Sequence, residues 1–243
     1  MLTDCVLFRG LSVLCLLLTT TPASFSQTAL PNPALQQPQP PPPPQPQHKR
    51  IFGIIPNYRT YPTLKDYKPI SSGQKFKIFA NDTFDRGSFM LAGLFAGKGF
   101  LANDTPSFGH GASGFSKYYA AGYADVAIGN FMTEAFFPVM LHQDPRYFRR
   151  GTGSGWSRAG HAIGQIFWTK TDSSNMQFNY SEVMGNATAA AISLSYYPDN
   201  RTAGSVASKL GVQLGIDVTG NLLKEFWPDL AQKFSRKPHA QGP

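Results

Sequence analysis

The chain has 243 residues and a formal net charge of +8, from 22 lysines and arginines against 14 aspartates and glutamates; only 15% of its residues are charged. Its two cysteines, Cys5 and Cys15, both lie at the extreme N-terminus. That excludes a disulfide framework, a thiolate metal site and a cysteine nucleophile from everything that follows.

The first segment has the layout of a secretory signal peptide over 1–26. Arg9 precedes an apolar run from Leu11 to Leu18, and Ser24-Phe25-Ser26 offers a small-x-small cleavage site before Gln27. The apolar run is too short for a typical transmembrane helix. Leu14 stands before Cys15 where a lipoprotein signal needs a small residue. Export makes nucleic acid an improbable partner despite the basic charge.

A linker over 27–50 comes next. Nine of the residues from Pro31 to Gln47 are proline, which predicts a disordered, polyproline-II spacer without a core. At ~3.1 Å per residue it spans roughly 50 Å when extended.

From 51 to 230 the composition is globular, and roughly 180 residues suffice for one core. The expected fold class is all-α, a compact bundle of about five small-residue-rich helices after the proline-rich linker. The Pro- and Tyr-rich stretch Ile51 to Ser72 is expected to lie extended over it. Asp82-Thr83-Phe84-Asp85 reads as an N-terminal cap for the apolar run Phe89 to Phe95, with Gly97-Lys98-Gly99 ending that helix. Further helices are expected over Ser113–His142, Trp156–Lys170, Tyr180–Tyr197 and Thr202–Phe226, with Gly164–Lys170 open to a strand instead. A basic flexible tail over 231–243 follows, with Lys233, Arg236 and Lys237.

Small residues recur four apart in all five helices: Ala92 and Ala96; Ala120 and Ala124; Gly160 and Gly164; Gly185, Ala189 and Ser193; Gly211, Gly215 and Thr219. This spacing places each set on one face, where another backbone can approach closely. Three apolar runs end in an aromatic pair and proline, at Pro138, Pro198 and Pro228. The latter two are expected to mark helix ends and Pro138 to kink the second helix. Every long apolar run contains polar groups, such as Asp125 and Glu134, Asn186, or Lys209 and Asp217. Intramembrane charges are costly, which argues against a conventional spanning protein and for a bundle lying against a membrane or in solution.

Two clusters qualify as sites. His142, Asp144 and His161 are separated by short connections and could meet for general acid–base chemistry; no tight metal motif such as H-E-x-x-H is present, and no metal or cofactor is expected. Arg146, Arg149, Arg150 and Arg158, with the glycine-rich loop Gly151–Gly155 between them, could bind a phosphate or lipid headgroup. The plainer reading is that Arg146, Arg149 and Arg150 follow a helix stopped at Asp144-Pro145 and sit at the negative end of its dipole. Carboxylates and amides inside the helices, Asp125, Glu134, Glu182, Asn186, Asp217, Asn221 and Glu225, need partners if buried; Arg158, Lys209 and Lys224 are the candidates. Sequons occur at Asn81, Asn103, Asn179, Asn186 and Asn200, and the two belonging to the fourth helix are expected to be buried.

The stretches LHQDPRY (Leu141–Tyr147), TDS (Thr171–Ser173), FNYS (Phe178–Ser181) and YYP (Tyr196–Pro198) resemble a family of bacterial exported proteins without an assigned activity. The resemblance covers about Gly109 to Leu230. It implies a location in the periplasm or cell envelope and nothing catalytic. Two functions stand beside each other at this point. The first is a non-enzymatic helical module that associates with a membrane surface or an envelope protein. The second is a hydrolase acting on an anionic substrate through His142, Asp144 and His161.

Overall fold

The computed structural model describes residues 50–53, 55–61 and 67–235. The signal peptide, nearly all of the proline-rich linker and tail residues 236–243 lie outside the described residues. The protein is mostly helical, with three two-stranded sheets among the described residues, so it is not purely all-α.

Helix α1 (Ser72–Thr83) falls where no helix was expected. A capping box starts it: the Gln74 amide donates to Ser71 Oγ, and the Ser71 amide donates to Gln74 Oε1 at 2.8 Å. Asp82 and Thr83 therefore end α1, and Asp85 alone caps α2 (Arg86–Ala102), accepting from the Gly87 amide at 2.7 Å. The glycines do not end α2. Gly99 remains helical and lies against Tyr118; a Cβ there would stand 3.2 Å from the ring. The stop comes at Asn103, which takes a left-handed φ of 51°.

Helix α3 (Gly111–Asn130) continues through a π-helical stretch, Phe131–Phe136, into a short α4 (Phe137–Met140). The Phe137 amide donates five residues back, to the Met132 carbonyl. This wider turn lies just before Pro138, which has no N–H to offer and whose ring crowds the carbonyl four residues earlier. The helix thus passes Pro138 unbroken and ends at Met140, short of His142.

Helix α5 (Gly155–Phe167) gives way to a strand, Trp168–Lys170, which pairs antiparallel with Met176–Phe178. The aromatic and β-branched Trp168-Thr169 suits that hairpin. Helix α6 (Tyr180–Ser193) ends before the Tyr-Tyr-Pro sequence. Helix α7 (Ala203–Ser235) does not stop at Trp227, as its proline suggested, and runs through Pro228 into the expected tail. Two arginines account for this. Arg149 and Arg158 each donate to the Glu225 carbonyl at 2.8 Å and each bind the Asp229 carboxylate, gripping the turns on both sides of the proline.

The N-terminal stretch is anchored by a short parallel pairing, Thr60 with Tyr147 and Tyr61 with Phe148. It delivers Arg59 to the interior, where Arg59 meets Glu134.

The faces where α2, α3 and α6 meet are built from small and polar groups, whereas larger buried apolar side chains such as Ile51, Tyr61, Phe148 and Ile166 belong to the short strands and α5. Helix α6 buries Ser181, Glu182, Gly185, Asn186, Ala189, Ala190 and Ser193, while Tyr180, Met184 and Ile192 on its other side are exposed. Helix α2 buries Ala92, Ala96 and Gly99 and exposes Met90, Leu94 and Leu101. Two of the five small-residue sets make the expected close contacts. A Cβ on Gly122 would stand 3.2 Å from the Ala92 carbonyl, and one on Gly185 would stand 2.8 Å from Thr133 Cγ2. The other three do not. Ala120, Gly160 and the row Gly211, Gly215, Thr219 face outward; on α3 the contact passes to Tyr118, Ala121 and Gly122, one row round the helix.

Candidate functional site

The expected His/Asp cluster is dispersed. His142 has a left-handed φ of 53°, and its ring is 81% exposed, 3.8 Å from Asp172. Asp144 is buried and committed. Arg146 binds it through Nε at 2.9 Å and Nη2 at 2.6 Å, and the Tyr67 hydroxyl adds a bond at 3.1 Å. His161 Nε2 lies 2.8 Å from the Phe148 carbonyl. Each of the three has its own neighbours.

The arginines are also engaged internally. Arg146 is buried, with its guanidinium 4.8 Å from the Tyr61 ring centre and its Nη2 donating to the Lys68 carbonyl. Arg149 and Arg158 hold α7, and Arg158 Nε also donates to Glu225 Oε1 at 2.8 Å. Glu225 further accepts from Tyr147 Oη at 2.6 Å and from the Arg150 and Gly151 amides. These donors outweigh the effect of burial and hold its carboxyl below the usual carboxylate range. The side chain of Arg150 is on an exposed residue. Arg149 and Arg158 are therefore struts to α7, while Arg146 is paired with Asp144.

A different cluster occupies the centre. Arg59 Nε lies 3.3 Å from Glu134 Oε1 and 3.7 Å from Asp82 Oδ2. Beside them, Asn186 Nδ2 donates to Asp217 Oδ2 at 3.0 Å and to Glu182 Oε1 at 3.4 Å, which brings the two carboxyls together. Lys224 faces the same group. Burial raises the Glu134 carboxyl well above its usual range, reinforced by Asp82. Burial and the neighbouring Asp217 push Glu182 up to about 8. Burial, together with Arg59, brings Lys224 down to about 8. Arg59 loses hydration too, but the surrounding carboxylates more than compensate and raise its pKa. Four acids and two bases can thus share this space because Glu182 keeps its proton at neutral pH and burial shifts Glu134 toward its protonated form.

A cavity of about 710 Å³ leads to this cluster between α2, α3 and α7. Lys209, Gln213 and Asp217 line it from one face of α7 at four-residue intervals. The same row continues to Asn221 in a small pocket beyond, which holds Lys224 and Glu182 and shares Arg59 and Asp217 with the larger one. Leu91, Phe95, Val126, Val212 and Ile216 supply apolar wall. Partway along, Asp125 accepts from Tyr196 Oη at 2.6 Å, Tyr197 Oη at 2.9 Å and Lys209 Nζ at 3.1 Å.

Arg59 was not anticipated from sequence, because it lies in a segment expected to form an outer cover. The helix-embedded acids were visible, and two of the three candidate cations are bound to them: Arg158 to Glu225 and Lys209 to Asp125. Asn179 and Asn186 are buried, as expected of the two sequons there. Among the described residues no group of His, Cys, Asp and Glu has the arrangement of a metal site. Comparison with family models, curated proteins and solved structures gave no match.

Proposed function

We propose that this chain is an exported, non-enzymatic helical-bundle module of the cell envelope that associates with a membrane. The observation that carries the reading is the outward placement of large apolar side chains around a polar interior. Leu94 is 71% exposed, Leu101 86% and Trp156 90%. Phe76, Phe136, Met140, Ile163, Phe167 and Trp168 add to them on other elements. Some form continuous aromatic surface: the Phe76 and Phe136 rings both contact Phe131, with centroids 6.3 and 6.1 Å apart.

Soluble monomers rarely carry large contiguous apolar patches, and such patches mark contact with a membrane or a protein. Here the exposed groups are spread over nearly every helix. A protein partner covers one side; lipid adapts to several. No helix among the described residues is long and apolar enough to cross a membrane, so the reading is of apolar side chains seated in the bilayer interface. The signal-peptide layout and the family resemblance support export and an envelope location.

Flotation of the purified protein with phosphatidylcholine vesicles tests this. Co-flotation that survives high salt and is reversed by detergent is expected, because the contact is apolar rather than ionic. A monodisperse protein that floats with neither neutral nor anionic vesicles would overturn the reading. Detection of an N-terminus at Gln27 in the envelope fraction tests export separately.

A further inference from the structure

The cavity beside α7 has the dimensions and lining of a small-molecule site, and its chemistry narrows the ligand. At about 710 Å³ it falls within the range of pockets that hold drug-sized molecules. The formal charges on its wall balance, three cations (Arg59, Lys98, Lys209) against three anions (Asp104, Asp125, Asp217). Lys98 pairs with Asp104 at 2.6 Å, Lys209 with Asp125 at 3.1 Å, and Arg59 with Glu134 at 3.3 Å; Asp217 is held by Asn186 at 3.0 Å. A charged ligand would have to break one of these pairs or remain unpaired in a partly desolvated space.

One group on this wall remains unsatisfied. Gln213 lines the cavity, and its Oε1 is buried without a hydrogen-bond partner among the described residues. A buried carbonyl left in that state costs free energy that a donor from a ligand would restore. Asp217 lies one turn further along the same face and presents a second acceptor. Around these acceptors the wall is apolar, from Leu91 and Phe95 on α2, Val126 on α3, and Val212 and Ile216 on α7.

The geometry points to a binding site for an uncharged, single-chain amphiphile whose hydroxyl-bearing head donates to Gln213 and Asp217 while its alkyl chain lies against Leu91, Phe95, Val126 and Ile216. A monoacylglycerol has this chemistry. The site goes beyond membrane association and does not depend on it, since the cavity opens within the bundle and is defined by its own walls.

Native mass spectrometry with monolaurin, laurate and laurylamine tests the assignment, carried out both in plain buffer and in phosphatidylcholine nanodiscs. These ligands share a chain length and differ in head charge. Monolaurin is expected to bind at least about ten-fold more tightly than either charged ligand, a difference of about 1.4 kcal/mol. Gln213→Leu is expected to weaken monolaurin about ten-fold and to leave laurylamine unchanged. Val126→Trp fills the cavity and is expected to abolish binding; Ile216→Phe does so from the opposite wall and covers the case in which the first variant fails to fold. Equal binding of all three ligands, undiminished binding in a folded filling variant, or no binding of monolaurin in either medium overturns the proposal. Failure to float with vesicles leaves this outcome unaffected, so the two readings fail separately.

Discussion

Arg158 and Asp229 are joined across a proline: Nη1 donates to Oδ2 at 2.5 Å, while the same guanidinium holds the carboxylate and the carbonyl of Glu225 one turn earlier. Proline inside a helix costs ~3 kcal/mol or more through the lost hydrogen bond and the ring clash. The Arg158 and Arg149 contacts compensate at that point. Arg158→Ala is therefore expected to destabilise the protein by about 3–5 kcal/mol, because Glu225 is left buried without its main cation. Hydrogen exchange should show an added local loss of protection after Pro228. Arg158→Lys is expected to recover only part, lacking the fork that reaches both residues. Arg150→Ala, on an exposed side chain, should stay within about 0.5 kcal/mol.

Asp144 and Arg146 make the second buried pair, and their roles separate by double substitution. Arg146→Met leaves Asp144 unpaired in the interior, with an expected cost of about 3–5 kcal/mol. Adding Asp144→Leu should return part of that stability, since two apolar side chains replace two charges. Thermal unfolding of the single and double variants reads the difference. A double variant no more stable than Arg146→Met would mean that the Tyr67 and Lys68 contacts, rather than the unpaired charge, dominate the loss.

Glycine substitutions distinguish contact faces from outward faces. On α6, Gly185→Ala would drive a methyl to 2.8 Å from Thr133 Cγ2 and 3.1 Å from the Met132 backbone, and should cost about 1–3 kcal/mol. On α5, Gly160→Ala meets nothing within 4 Å and should stabilise by about 0.4–1 kcal/mol. Paired melting curves suffice to compare them. A neutral Gly185→Ala would place α6 further from the π-helical stretch than described above.

Stability should pass through a minimum near pH 8. Glu182 moves from an ordinary 4.5 to about 8, so between those values the folded chain holds a proton that the unfolded chain has released. Its contribution is lost as pH rises across that window. Lys224 moves from 10.5 down to about 8, so above that point the unfolded chain holds the extra proton and stability recovers with rising pH. The groups facing this pair are Arg59, Asp82, Glu134 and Asp217, and the raised Glu134 adds to the acid-side slope. Melting temperatures measured across pH should fall from about pH 6 to about pH 8 in the wild type and fall less in Glu182→Gln. An equal slope in both would remove Glu182 as the cause.

Much of the helical framework was readable because its signals are local. Asp85 precedes α2, Asn179 caps α6, and the Tyr-Tyr-Pro sequence follows the end of α6. Helix α1 was missed although Ser71 and Gln74 carry its cap, because no clean apolar face follows them: its buried residues are Lys75, Asp82 and Thr83. Pro228 misled for the opposite reason. Its local preference is overridden by Arg149 and Arg158, which lie far away in sequence. The central cluster shows the same limit. Glu134, Glu182 and Asp217 stand out as acids in apolar helices, but nothing near them in the chain indicates Arg59. Periodicity identifies faces; it does not say which face a neighbour covers, which is why the glycines of α5 and the glycine row of α7 turned outward.

The polar interior changes which positions tolerate mutation. In an ordinary domain alanine is the neutral replacement, and large aliphatic residues are the ones that cannot be lost. Here Ala92, Ala135, Ala162 and Ala190 are fully enclosed, while Leu94 and Leu101 are open. An alanine scan would pass over the four enclosed positions without changing them and would score the open leucines as mild. A scan to valine or leucine would report the reverse, because added methyls at Ala92 or Ala190 have no free space to enter, and at Ala92 they would press on the α3 backbone at Gly122. The spacing of the helices is thus encoded in the side chains that a conventional scan leaves unaltered.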